Sequence, residues 1–172
     1  YSCIGIGASY ANIENNNISN TFETVNSFSV YGIVSGDYNV IQNNTINGFD
    51  IGIGLSDDWS NQIKDNDINA LRYGVHINNS HGSHIIENNN INKYTSADNE
   101  LVYVVNTDSV VIQGNHCQAI GGDGFYFNNT SVLMNYNLIV SPGRGVEFTN
   151  QAEGSIINNT IITLDNADYG IK

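Results

Sequence analysis

Two short patterns alternate along the whole chain, and their spacing leaves few folds open. The first is an aromatic or apolar residue, Gly, then Ile or Val: Ile4-Gly5-Ile6, Tyr31-Gly32-Ile33, Ile51-Gly52-Ile53 and Tyr73-Gly74-Val75. It returns, twice with a charged residue leading, as Asp123-Gly124-Phe125, Arg144-Gly145-Val146 and Tyr169-Gly170-Ile171, with a degenerate copy at Leu101-Val102-Tyr103. With Val102 in the glycine place, the steps are 27, 20, 22, 28, 22, 21 and 25 residues. The second pattern is apolar-x-x-Asn-x-apolar, over Ile13–Ile18, Ile41–Ile46, Ile63–Ile68, Ile86–Ile91, Ile112–Cys117, Leu133–Leu138 and Ile156–Ile161. Its fourth position holds Asn16, Asn44, Asn66, Asn89, Asn115, Tyr136 and Asn159. A repeat of twenty-odd residues means a stacked, quasi-linear architecture.

Two apolar residues five apart lie on opposite faces of one straight strand, so both reach a single core only if the chain turns between them. Asn tolerates the left-handed backbone of such a turn. Stacked from coil to coil, its amides can bond one another and the turn. Each coil therefore reads as three strands: strand one after the Gly, strand two, an Asn corner, then strand three and a variable loop. No segment sustains a 3.6-residue period, which rejects helical solenoids. The expectation is an all-β, three-sheet parallel solenoid of about seven coils, one domain over residues 1–172, with an Asn ladder between strands two and three. Tyr136 should interrupt that ladder.

The chain is acidic, with 5 Lys+Arg against 17 Asp+Glu and a net charge of −12. Phosphate binding needs local positive charge, so nucleic acid and anionic membrane are disfavoured as partners. No apolar run reaches the ~18–20 residues of a membrane span. Neither end carries a polar cap, which a solenoid needs, so the segment reads as the middle of a longer chain. Cys117 takes an apolar place in the second pattern and reads as a core thiol. Cys3 lies several coils away, too far for a disulfide.

These two patterns resemble the pectate-lyase-like right-handed parallel β-helix superfamily, which includes pectate lyases, polygalacturonases and phage tailspikes. The resemblance covers nearly the whole chain and implies a polysaccharide partner, with the sugar chain lying along the strand-one face. The polygalacturonase subfamily is rejected. Asn106-Thr107-Asp108 is present, but no Asp-Asp follows it and no Gly-His-Gly occurs. Strand side chains alternate, so if the residue after each Gly points inward, the next points outward. That outward row is Gly7, Val34, Gly54, His76, Val104, Tyr126, Glu147 and Lys172; two residues on, it includes Asn78, Asn106 and Asn128. The glycines themselves would form a bare strip, a shallow groove along the axis.

Hydrolysis wants two carboxyl groups ~5–10 Å apart. Glu147 is one candidate, with Asp123 or Asp168 as the second. Lyase action on a uronate instead wants a base, an acid and a cation, places that Tyr126, Arg144 and Lys172 could fill. Alternatively, Glu147–Lys172 is a surface ion pair and Tyr126 a strand former. His76, Asn78, Asn106, Asn128 and Trp59 are the substrate-binding candidates. The loop Ser56-Asp57-Asp58-Trp59 suits sugar stacking or a calcium ion, while no other cofactor is expected. His81 and His84 flank Gly82 and are weaker metal candidates. Two functions stay open. One is cleavage of a polysaccharide by a tailspike depolymerase or secreted enzyme. The other is a non-catalytic structural or adhesive solenoid in a surface protein or fibre. Both imply an extracellular, cell-surface or virion setting, and the tailspike resemblance implies a homotrimer.

Overall fold

The computed structural model describes residues 3–21, 29–96, 99–164 and 169–172, the side chains from residue 5 onward. Among these residues there is no helix; seventeen strands pair in parallel throughout. The first coil holds β1 (Cys3–Ala8), β2 (Asn12–Glu14) and β3 (Asn17–Ser19). The second holds β4 (Val30–Ser35), β5 (Val40–Gln42) and the start of β6 (Thr45–Ser56), which bends on into the third coil. Then come β7 (Gln62–Lys64), β8 (Asp67–Asn78), β9 (Ser83–Glu87), β10 (Asn90–Lys93), β11 (Val102–Gln113) and β12 (His116–Ala119). The last are β13 (Phe125–Asn135), β14 (Leu138–Ser141), β15 (Val146–Thr149), β16 (Glu153–Ile157) and β17 (Thr160–Thr163). Strand one of each coil pairs with strand one of the next in the series β1–β4–β6–β8–β11–β13–β15. Seven rungs therefore enclose six turns, slightly fewer than the seven coils expected.

The core is a stack of like on like. Ile33, Ile53, Val75, Val102, Phe125 and Val146 form one buried column, and Ile46, Ile68, Ile91, Cys117 and Ile139 another. Cys117 is fully buried and free, and burial raises its thiol pKa.

The Asn corner is continuous. The Asn66 backbone N–H donates to Asn89 Oδ1 at 2.9 Å, and its Nδ2 reaches the same oxygen at 3.0 Å. Nδ2 also bonds the carbonyls of Ile41 and Lys64. Asn16, Asn44, Asn89 and Asn115 repeat the link to the next coil. Contrary to expectation the row does not break at Tyr136. Asn115 bonds Asn137, and Asn137 bonds Asn159. The sixth copy of the pattern is therefore Met134–Ile139, with Met134 and Ile139 buried and Leu133 exposed. Tyr136 takes the place just before the ladder. There every coil has a left-handed residue: Asn15, Asn43, Asp65, Asn88, Gly114, Tyr136 and Asn158, with φ between 52° and 65°. The turn and the ladder are thus the work of adjacent residues, not of one.

The glycines are not a bare outer strip. Gly32, Gly52, Gly74, Gly124 and Gly145 are buried. A Cβ on Gly52 would overlap Ile68 Cγ2 and sit 2.7 Å from the Gly74 carbonyl oxygen. Gly32, Gly74, Gly124 and Gly145 meet Ile46, Ile91, Ile139 and Ile161 in the same way. The Gly row lets strand three fold tightly against strand one.

Two stability predictions follow from these corners. Asn89→Ala orphans the Asn66 N–H and the Ile63 carbonyl, both otherwise satisfied by its amide, and should cost roughly 1–3 kcal/mol in a denaturant titration. Gly52→Ala overpacks a site walled by backbone and should cost a similar ~1–3 kcal/mol, visible as a lower thermal midpoint. Wild-type stability for either variant would refute the corner assignment.

Candidate functional site

The strand-one face carries two parallel rows of outward side chains. In the outer row, Val34 pairs with Gly54, Gly54 with His76, His76 with Tyr103, Tyr103 with Tyr126 and Tyr126 with Glu147. Ile171 bridges Val146, which puts Lys172 next in line. One member differs from expectation. Val102, not Tyr103, pairs with the inward Val75, so Leu101 stands in the glycine place. The Leu101 N–H accordingly bonds the Gly124 carbonyl at 2.8 Å, and the Leu101 carbonyl accepts from the Gly74 N–H. This one-residue shift buries Val104 and turns Tyr103 outward. It also removes Asn106 from the row of Asn78 and Asn128, where Val105 stands instead. Asn106 is left-handed and exposed, in a separate surface row with Asn79 and Asn129.

The second row is the residue before each Gly. The corrected register puts Glu100, Asp123 and Arg144 on three successive rungs, at ~4.8 Å per rung. Sequence reasoning missed Glu100 because the fifth copy lacks its Gly. The signal was there: shifting that copy back by one residue lines up a third charged residue with Asp123 and Arg144.

Together the rows divide the face in two. One half is aromatic. The Tyr73 and His76 rings stack with centroids 5.2 Å apart, His76 meets Tyr103 edge-on at 5.1 Å, and Tyr103 stacks on Tyr126 at 5.1 Å and 8°. Tyr31 lies over Gly54, and a cavity of about 290 Å³ opens between Tyr31, Gly54, His76 and Asn78. Burial pushes His76 below the usual imidazole range, so it is neutral near pH 7. The Tyr126 hydroxyl accepts from Asn128 Nδ2 at 3.1 Å and lies 2.9 Å from Thr149 Oγ1.

The other half is charged. Arg144 holds Asp123 through Nε at 3.0 Å and Nη2 at 2.6 Å, and holds Glu147 through Nη1. Lys172 Nζ sits 3.2 Å from the other Glu147 oxygen and 5.9 Å from the Tyr169 ring centroid. The Asp123 bonds and charge raise the already high Arg144 pKa. Burial is the main cause that lifts the Glu100 carboxyl, and Asp123 repels it further while Lys93 and Arg144 oppose. Lys93, itself buried, donates to the Asn99 and Gly121 carbonyls and ties down the backbone beside Glu100. Asp168 lies outside the described residues.

Trp59 is not on this face. It stands in the corner loop between strands one and two, with its ring 5.1 Å from His81. His81 and His84 part company there. His81 is half-exposed beside Asp108, whereas His84 is fully buried and accepts the Asn61 N–H on Nδ1. His84 thereby extends a second amide row, Asn39–Asn61, inside this corner. Among the described residues no group of three His, Cys, Asp or Glu side chains could hold a metal ion.

Residues 2–162 match the family model described as right handed beta helix region, and the chain belongs to that family. The family is compatible with polysaccharide-acting enzymes and with structural proteins. No curated protein and no solved structure matches the chain.

Two buried groups at the corner give opposite pH dependences. Burial pushes Asp58 up to about 7, opposed by the Ser56 N–H and helped by Asp37 and Asp57. Burial pushes His84 down to about 4. Folded Asp58 holds its proton where the unfolded carboxyl loses it, so its stabilisation fades as pH rises from about 4 to about 7. Folded His84 is neutral where the unfolded imidazole is charged, so its stabilisation fades as pH falls from 6.5 to about 4. Asp58→Asn should therefore leave stability climbing more steeply over pH 4 to 6.5, and His84→Asn should leave it falling. Denaturant midpoints across that window check both slopes.

Proposed function

We propose that the strand-one face binds a polysaccharide lengthwise and hydrolyses it at the charged end. One observation carries this: a continuous aromatic row from Tyr73 through His76 and Tyr103 to Tyr126 leads into two carboxylates held by one guanidinium, with Glu100 on the next rung. Stacked along the axis, these rings turn their edges and polar tips to a chain lying lengthwise, an amphipathic surface suited to sugar C–H and hydroxyl groups. Asn78 and Asn128 flank the row as hydroxyl partners.

Glu100 is the carboxyl held up by burial, which suits a general acid; Asp123 and Glu147, both held by Arg144, supply the carboxylate that activates water or attacks. Neighbouring rungs bring Glu100 and Asp123 near the ~5 Å used by retaining enzymes. Uronate lysis is less well served. Arg144 is engaged by Asp123 and Glu147, and Lys172 by Glu147, so neither cation is free for a substrate carboxylate. The setting of such an activity is extracellular, in a secreted depolymerase or a trimeric tailspike.

A non-catalytic adhesive role is favoured by the same ion pairs, because Glu147 is held on both oxygens. The two separate in one assay. Neutral bacterial capsule and plant-wall polymers are incubated with the protein and analysed for released oligosaccharides. Release is expected, lowered at least 100-fold by Asp123→Asn or Glu100→Gln with folding retained. Binding without release would leave the adhesive role; neither binding nor release would end both.

A further inference from the structure

A second row of rings runs along a different edge of the solenoid, the corner after strand one. Its left-handed place holds Tyr10, Tyr38, Ser60 and Gly82 on four successive coils, and the place one residue earlier holds Asp37, Trp59 and His81, so Tyr10–Tyr38 and Trp59–His81 are two ring pairs in neighbouring columns of one corner. The Tyr10 N–H bonds the Asp37 carbonyl, the Tyr38 N–H bonds the Trp59 carbonyl, and Trp59 bridges His81. The rings pair along the axis, Tyr10 with Tyr38 at 5.7 Å and Trp59 with His81 at 5.1 Å.

Three features set this row apart from ordinary loop residues. First, it is open to solvent: Tyr10 is 71% exposed, Tyr38 52% and Trp59 46%. Second, Tyr10 and Tyr38 are left-handed, with φ of 55° and 53°. That conformation is costly for a bulky side chain, and Asn or Gly would hold it more easily. Two consecutive coils nevertheless place a Tyr there, ring outward. Third, carboxylates fix the corner that carries the rings. Asp37 accepts from the Tyr10 hydroxyl at 3.3 Å and from the Trp59 backbone N–H at 2.9 Å, while Asp108 accepts the Gly82 backbone N–H at 2.9 Å beside His81.

We propose that this row is a second carbohydrate-binding strip, apart from the strand-one face, taking an uncharged pyranose chain laid along the helix axis. One rung is about as thick as a pyranose unit is long, so each ring pair spans about two sugars of a chain laid along the corner. The ionisable groups bonded to the row are carboxylates, Asp37 and Asp108, which accept sugar hydroxyls and repel uronates and sulfated chains. The net charge of −12 adds to that exclusion.

Trp59 is the sole tryptophan, so its emission reports this strip and not the strand-one face. The protein is titrated with neutral hexasaccharides of glucose, mannose, galactose and N-acetylglucosamine, and with hexamers of galacturonate and glucosamine. A saturable change with at least one neutral hexamer is expected, and Tyr38→Ala should weaken it tenfold or more with the melting temperature retained. No saturable change with any neutral hexamer overturns the proposal. So does a response confined to glucosamine hexamers, which would mark a cation site, or to galacturonate. Failure of the strand-one hydrolysis appears separately, as absence of released oligosaccharide in a protein whose Trp59 still responds.

Discussion

Each ladder Asn between the two end members, Asn16 and Asn159, ties three pieces of the chain: its own turn, the strand two carbonyl of the coil before, and the ladder Asn of the coil after. Asn89 does this with Glu87, Ile63 and Asn115. Buried amides left unpaired are expensive, so a slip of one coil against its neighbour would leave several donors and acceptors without partners. The ladder therefore sets the axial register of the whole solenoid. Every outward row depends on that register. Stacked rings and the Asp123–Arg144 pair exist because residues some twenty apart in sequence are held at one rung spacing.

The repeat made the fold legible because the corners demand specific chemistry. A left-handed residue followed by a buried Asn, and a Gly facing an Ile methyl, recur for steric and hydrogen-bonding reasons. The misplacements arose where a copy substitutes one of these parts. In the fifth coil Leu101 replaces the Gly beside a similar Val102, and an offset of one at that place hides Glu100 before it and Tyr103 after it. In the sixth, Leu133 and Leu138 mimic the apolar spacing one residue early, although Asn137 was present to continue the ladder. Strand periodicity is two, so a slip of one inverts inside and outside. The second amide row, Asn39–Asn61–His84, had no repeat signal, because it is short and ends in a residue of different type.

The inward glycines change how the outer surface should be understood. Each removes a side chain where strand three turns into strand one, letting an Ile methyl press against backbone. The residue just before the Gly then lies at the rim of the strand-one face. There the sequence is least repetitive: Tyr31, Ile51, Tyr73, Glu100, Asp123, Arg144 and Tyr169. Core columns hold Ile, Val and Phe for want of alternatives, whereas this rim is free to vary, and it varies from aromatic to charged along the axis.

That gradient matters more than any single residue in it. The chain has only 5 Lys+Arg, yet Arg144 and Lys172 both sit beside the carboxylates of the last coils. An Asp123 and a Glu147 at this spacing would repel strongly without Arg144 between them, and partial burial would amplify the repulsion. The guanidinium makes two neighbouring carboxylates compatible with a packed rung, and it leaves the added negative charge of Glu100 as the one burial acts on most directly. Burial raises the Glu100 carboxyl pKa, one rung from Asp123, which is held by its cation. Unequal environments for adjacent carboxyls are what acid–base division of labour requires, and here they follow from the row itself: the same ladder that stacks the core also stacks Glu100, Asp123 and Arg144 in that order.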